Sequence, residues 1–268
     1  MKKKVRVQVA DPAGNTTIYV LDRFPQSEYG EVGKQLLANE ALDAEQVGFI
    51  TGPRTMEMSG LEFCGNATRA FAYLMAKTEG ATEPLVMTVQ VSGTDDPLVV
   101  RVDPANDYSG TDMPLPVAIY SVPDIPVPEM REGILVDLGG IMHLVVVDVE
   151  ASQERFDAAR AYIAEKYDPA AIGVMFLTNV NTDDLRMTPI VYVRDVDSVY
   201  WEGSCASGTA AAAVAMAYGQ EDGVYGGTLR QPGGELTAAA TVENGRYVGL
   251  RIEGSVTCGP VQEVEIDI

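Results

Sequence analysis

The 268-residue sequence predicts an α+β protein built as two similar halves. Strand-like runs outnumber helical ones, a cysteine-led segment occurs twice, and a proline-rich stretch lies between the two occurrences. Strands are expected at Val5 to Val9, Thr17 to Leu21, Val86 to Val91, Leu98 to Val102, Gly133 to Leu138 and Leu144 to Val149. Further strands are expected at Val174 to Thr178, Ile190 to Val193, Thr237 to Val242 and Tyr247 to Ile252. Helical spacing covers Glu31 to Leu42, Asn66 to Lys77, Ser152 to Lys166 and Ser207 to Gly219. Pro114 to Pro128 carries five prolines and reads as a crossover following the turn-rich DPANDYSGTD. Each side of it then has an ordinary domain size.

Composition narrows the function. Hydrophobic residues make up 46% and charged residues 22%, enough apolar material for a core. A mean hydropathy of +0.02 argues against disorder. Nineteen basic residues face 39 acidic ones, a net charge of −20 that repels phosphate backbones and anionic lipid. Neither a nucleic-acid partner nor a membrane surface is expected. The opening MKKKVRVQVADPAG alternates like a strand and has no continuous apolar stretch of signal-peptide type. The expected location is the cytoplasm, where thiols stay reduced. Three cysteines without CxxC spacing point away from a disulfide scaffold and a structural zinc site.

The repeat carries the chemistry. Cys64 begins CGNATRAFAYLMA and Cys205 begins CASGTAAAAVAMA, with Cys, Thr, Ala, Ala, Met and Ala at equal offsets. Upstream, VGFIT at Val47 is matched by IGVMFLT at Ile172. Two alanine-rich core helices would look alike by composition, but the shared Cys and Thr fall in the turn. Small residues after each cysteine, Gly65-Asn66-Ala67 and Ala206-Ser207-Gly208, leave backbone N–H groups open at a helix N-terminus. Such a terminus binds a carboxylate and lowers a thiol's pKa. Two such units suit removal of a proton from one face of a carbon and its return from the other, one cysteine as thiolate base and the other as thiol acid. Open N–H groups would stabilise charge developing on the carboxylate.

Rival chemistries are poorly supplied. A single histidine, His143, excludes a histidine-rich metal centre, and no metal is expected. There is no GxSxG elbow, no GxxxxGK[ST] and no strand-linked GxGxxG. No motif signals a pyridoxal-phosphate lysine, and no cofactor is expected. A peroxide-reducing cysteine pair stays open.

At EFCGNAT and WEGSCASGTA the chain resembles the diaminopimelate-epimerase-like superfamily, and the likeness spans nearly the whole sequence. PAGNTTIYVLD is similar to the family's early GxGN motif and implies that Asn15 is at the substrate; EQVGFI implies that Gln46 lines the pocket. MHLVVVDV resembles the strand carrying the family's histidine, here His143, and QPGGEL its late PGG turn. Within the superfamily the chain is most similar to the histidine racemases of staphylopine-type metallophore biosynthesis. That resemblance implies cofactor-free interconversion of L- and D-histidine. It also implies two pseudo-symmetric domains, each a mixed sheet wrapped around a central helix, with the active site between them. The domains would be residues 1–125 with a returning strand in 256–268, and 126–255. Departures set true diaminopimelate epimerases aside: Tyr200-Trp201-Glu202-Gly203-Ser204-Cys205 lacks the family's arginine, and Gly173 stands near an expected asparagine. A distal carboxylate would then be buried without partners.

Cys64 and Cys205 are the expected catalytic pair, against buried small hydrophobes as the bland reading. Gly65, Asn66, Ala206 and Ser207 would bind substrate through backbone N–H groups, unless Asn66 and Ser207 only cap helices. Asn15 would reach the substrate or form a turn. His143 would tune one of the cysteines or sit satisfied in the core. Glu202 would receive the α-ammonium group or lie at the surface, and Gln46 is similarly divided. Glu57 is placed near the pocket entrance without a role, Trp201 is expected to pack, and Cys258 to be structural. The leading expectation is a histidine racemase acting on a free amino acid. Alternatives are a racemase or epimerase of another amino acid, including diaminopimelate, a thiol redox protein, and a silent ligand-binding relative. A homodimer is the commonest assembly for such a chain.

Overall fold

Strands hold more of the chain than helices do. The computed structural model describes residues 2–127 and 129–267, and among them are eighteen strands and four α-helices. Met1, Pro128 and Ile268, which end the expected first half, crossover and last strand, lie outside the described residues. The architecture is α+β with mixed parallel and antiparallel pairing. One compact unit runs to Asp112 and resumes at Glu253; the other is Met113–Ile252.

In the first unit, Lys2–Asp11 pairs antiparallel with Thr17–Val20 and with the late strand Gln262–Asp267. The opening lysines thus meet the acidic C-terminal strand, with Lys2 on Glu265 and Lys4 on Glu263. These pairs are fully solvated and contribute little to stability. Thr17–Val20 runs parallel to Gln46–Gly52, and that strand pairs antiparallel with Thr55–Met58. Helix α1 (Tyr29–Leu37) buries Val32 and Leu36 on Val5, Ile18, Val47 and Phe49. Helix α2 (Gly65–Thr78) is buried on nearly every side, with Phe71 and Leu74 packed among Met87, Val89, Val100 and Val102. A helix apolar all round belongs inside a domain.

In the second unit, Met142–Val147 pairs parallel with Ala171–Thr178, which pairs antiparallel with Arg186–Val193. Helix α3 (Gln153–Tyr167) starts at Ser152, whose hydroxyl accepts from Arg155 N–H at 3.2 Å. It buries Phe156, Ala159 and Ile163, a spacing that lays one stripe on the sheet. Helix α4 (Ala206–Ala217) is largely alanine, and its small side chains let strands on several sides approach it.

Three features depart from expectation. The helix expected over Glu31 to Leu42 stops at Leu37, and Glu40–Leu42 is a separate turn. Asn39 Oδ1 accepts from Ala41 N–H there, a local bond that competes with the helix. The proline-rich crossover contains a ten-residue strand, Ala118–Val127, paired with Met130–Asp137. Its prolines are tolerated because the register breaks between Pro123 and Val127, where Asp124 takes φ 57. The boundary expected at residue 125 falls inside this strand. Finally, Tyr108–Asp112 and the glycine-rich Gly223–Gln231 are strands without strand-like sequence, formed by pairing with Leu98–Asp103 and Gly234–Glu243.

The segment leading to Cys64 is held by a tight turn. Ser92 Oγ accepts from Met58 N–H and donates to Glu62 O, both at 2.8 Å. Gly93 follows with φ 74, and a Cβ there would lie 2.3 Å from Phe63 N. Gly93→Ala should therefore lower unfolding stability by about 2 kcal/mol or more in denaturant titration. An unchanged midpoint and slope would contradict this tight approach.

Candidate active site

Cys64 is the N-cap of α2. Its backbone is extended (φ −131, ψ 113), and its Sγ accepts from Ala67 N–H at 3.4 Å. Thr68 Oγ1 donates to Cys64 O at 2.7 Å, and Tyr19 Oη donates to Ala67 O at 2.7 Å. Both tie the first turn down. Asn15 Oδ1 lies 4.0 Å from Cys64 Sγ and accepts from Gln46 Nε2 at 2.8 Å. Gln46 Nε2 also donates to Thr17 Oγ1, and Asn15 Nδ2 donates to Glu45 Oε2 at 2.6 Å. Asn15 and Gln46 thus share one hydrogen-bonded cluster beside the Cys64 thiol. Gly65 and Asn66 open the helix as buried residues, and Asn66 Oδ1 accepts from Arg69 Nε at 3.1 Å.

Cys205 repeats the arrangement at α4. Its backbone is extended (φ −114, ψ 109), and Sγ accepts from Gly208 N–H at 3.3 Å. Thr209 Oγ1 donates to Cys205 O at 2.6 Å, the counterpart of Thr68. Gln231 bridges the same turn, accepting from Cys205 N–H at 2.8 Å and donating to Thr209 Oγ1 at 2.9 Å. Ser207 Oγ sits 3.6 Å from Cys205 Sγ and 2.9 Å from His143 Nε2. Cys205, Ser207 and His143 therefore form one polar chain. Ala206 is the first residue of the helix and is buried.

Each cysteine caps its own helix, so Asn66 and Ser207 do not serve as N-caps. Burial pushes the Cys205 thiol well above its ordinary range, and the neighbouring Glu202 carboxylate adds to this. These effects outweigh the hydrogen bonds from Ser207 and Gly208, so the helix terminus alone does not prime this thiol. Sequence reasoning missed Gln231, which hid in front of a glycine turn. The recurring Thr was the visible trace of the Thr68 and Thr209 clamps. Glu45 and Arg69 were also missed; Arg69 was visible only as a charge inside an apolar helix. Glu57 accepts from Tyr29 Oη at 2.9 Å. Trp201 is 52% exposed and donates to Gln153 Oε1, so it is not the packing residue expected. Cys258 packs against the core around α2.

His143 is fully buried, and its Nδ1 has no hydrogen-bond partner among the described residues. It pairs across the sheet with Gly173, where a Cβ would lie 2.2 Å from Nδ1. Glycine at 173 makes room for the imidazole. Burial drives the His143 pKa from 6.5 down to about 3, so the ring is neutral at pH 7. The unfolded chain protonates this histidine below about 6.5 while the folded chain does not, so stability falls as pH drops through that window. Unfolding at about pH 5 should cost about 2 kcal/mol less than at about pH 7 through this group. Denaturant titrations of a folded His143→Gln variant should lack that component. An identical pH dependence in both proteins would contradict a neutral buried imidazole.

Residues 4–260 match the family described as the histidine racemase CntK N-terminal domain. The chain is 35% identical over 220 residues to a histidine racemase of Fusobacterium nucleatum subsp. nucleatum, covering 77% of this chain and 81% of the relative. It is 27% identical over 271 residues to a histidine racemase of Staphylococcus aureus, covering 92% of each. Its fold is similar to that of a protein from Pseudomonas aeruginosa described as an epimerase, with a TM-score of 0.65 at 14% identity, covering 98% of this chain and 99% of the other. A probable proline racemase from Agrobacterium radiobacter K84 is similar at a TM-score of 0.65 and 11% identity, covering 98% and 93%. No helix among the described residues is long and apolar enough to cross a membrane. On the match over residues 4–260 and the identity to the Fusobacterium enzyme, the chain belongs to the histidine racemase family.

Proposed function

We propose that this protein racemises histidine without a cofactor, with Cys64 and Cys205 as the two proton-transferring groups. The observation that carries this reading is the repeated N-cap thiol: each unit has a cysteine whose Sγ accepts from the N–H three residues on, at the head of a buried helix. The names of the relatives supply the substrate.

In this mechanism one cysteine is a thiolate and removes the α-proton. The electron pair left on the α-carbon delocalises into the carboxylate. The other cysteine, a thiol, delivers its proton to the opposite face. One proton is taken and one given, and the two sulfurs exchange protonation states. The N–H groups of Gly65, Asn66, Ala206 and Ser207 hold the carboxylate as its charge rises. Glu202, beside Cys205, receives the α-ammonium group, and Asn15 with Gln46 orients the substrate beside Cys64. His143 holds the Ser207 hydroxyl that contacts Cys205. The two units serve as the pseudo-symmetric domains, each sheet wrapped around its buried helix, α2 or α4. The enzyme works in the cytoplasm, where both thiols stay reduced.

Reduced protein incubated with L-histidine and no added cofactor should form D-histidine, followed by chiral chromatography. Cys64→Ser and Cys205→Ser should each lower the rate about 100-fold or more in both directions. A variant that keeps its rate would contradict the two-cysteine mechanism. Turnover of another amino acid but not of histidine would keep the chemistry and replace the substrate.

A further inference from the structure

The two cysteine turns match in backbone geometry and differ in what stands two residues on. After Cys64 that residue is Asn66, whose Oδ1 accepts from Arg69 Nε at 3.1 Å. After Cys205 it is Ser207, whose hydroxyl lies 3.6 Å from the Cys205 sulfur and 2.9 Å from His143 Nε2. A serine hydroxyl has one proton to give. Where that proton points decides whether Ser207 donates to the sulfur or accepts from it.

The imidazole fixes the direction. His143 lies fully buried in the strand Met142–Val147, and burial brings its pKa down to about 3, so the ring is neutral. A neutral ring carries its proton on one nitrogen and a lone pair on the other. Nε2 has the Ser207 oxygen, which can accept or donate. Nδ1 has no hydrogen-bond partner among the described residues and faces the space kept by Gly173, where a Cβ would lie 2.2 Å from it. Met175 walls the same space: that Cβ would lie 2.8 Å from Met175 Cε, and a Cβ at Gly208 would lie 2.1 Å from Met175 Sδ. A proton on Nδ1 would be a buried donor without an acceptor, and orphaned N–H groups are rarer than unmet acceptors. The proton therefore belongs on Nε2, which donates to Ser207 Oγ. The Ser207 proton is left for the Cys205 sulfur. That sulfur needs donors, because burial and the Glu202 carboxylate both oppose its ionisation. The strands packed on this turn bring His143, Met175 and Gln231 to it, none of them charged.

We propose that His143 is a positioning residue for Cys205: held as the Nε2–H tautomer, it directs the Ser207 hydroxyl proton onto the sulfur, where that proton stabilises the thiolate. This rests on the two-cysteine mechanism above, in which every turnover starts or ends with Cys205 ionised. The sulfur then has two donors, the Gly208 N–H at 3.3 Å and the Ser207 hydroxyl at 3.6 Å. Ser207 serves the site twice, with its N–H on the substrate carboxylate and its hydroxyl on the base. No proton passes along the chain. The hydroxyl and the imidazole keep theirs, and His143 acts without touching substrate. Cys64 is served differently, with the Ala67 N–H at 3.4 Å and the acceptor Asn15 Oδ1 at 4.0 Å.

His143 is the single histidine of the chain, so protein grown with nitrogen-15-labelled histidine shows one imidazole. NMR of the reduced, substrate-free protein should give a protonated Nε2 and an unprotonated Nδ1, unchanged between about pH 6 and about pH 8. A proton on Nδ1, on both nitrogens, or shared between them would overturn the proposal. The second readout is the Cys205 thiolate, followed by ultraviolet absorbance against pH in a protein carrying Cys64→Ser and Cys258→Ser and corrected with a cysteine-free variant. Ser207→Ala should raise its midpoint by about one unit, about tenfold in ionisation constant. The His143 Nε2 resonance should move with that midpoint when Ser207 is present and stay still in Ser207→Ala. An unshifted midpoint, or a His143 resonance that ignores Cys205 ionisation, would equally sink the idea. If Cys205 does not ionise before the protein unfolds in alkali, the tautomer decides by itself. Absent D-histidine formation with tautomer and shift as expected would count against the racemase reading alone, whereas the wrong tautomer with turnover intact would remove only the role given to His143.

Discussion

The structure turns on a hydrogen bond made twice: a helix N–H donating to the sulfur of the cysteine that starts the helix. That bond needs an extended backbone at the cysteine and small residues just beyond it, so the N–H groups of the first turn stay open. It also needs the helix start to be immobile. Thr68 and Thr209 provide this by closing back on the cysteine carbonyl, and Tyr19 and Gln231 clamp the turns from neighbouring strands. Helices α2 and α4 are buried on most sides, and that packing holds each cysteine turn in place.

The cost of this arrangement is polar groups carried into the interior. His143 stays neutral there, supported at one nitrogen by Ser207, and needs Gly173 for space. Arg69 is fully buried and bonds two carbonyls and the Asn66 amide oxygen through Nη1 and Nε, while its Nη2 has no hydrogen-bond partner among the described residues. Each would be destabilising as an isolated feature. Both lie within one or two side chains of a cysteine turn, where fixed dipoles and charge are worth most.

Much of this was legible in the sequence because it is local. The cysteines, the small residues after them and the recurring Thr are all within one helical turn, and the repeat exposed them. Asn15 and Gln46 came from the resemblance, and the structure brings both beside Cys64. What stayed hidden depends on distant pairing. Gln231 reaches Cys205 from a strand 26 positions away, and the QPGGEL resemblance marked the turn without giving the glutamine a role. The strand over Ala118–Val127 defied its prolines because a register break accommodates them. The raised Cys205 pKa was invisible too, since burial depends on the whole second unit and opposes the helix terminus.

The central claim is that two different sulfurs handle the two faces of one carbon. The most direct measurement is early-time isotope placement: the enzyme, equilibrated in D2O, acts on L-histidine, and product and remaining substrate are separated and analysed for deuterium at the α-carbon. Two acids and bases predict deuterium in the D-histidine formed while the remaining L-histidine keeps its proton. Deuterium entering both pools at similar rates, or protium carried over into the product, would mean that a single group serves both faces, and would contradict the claim.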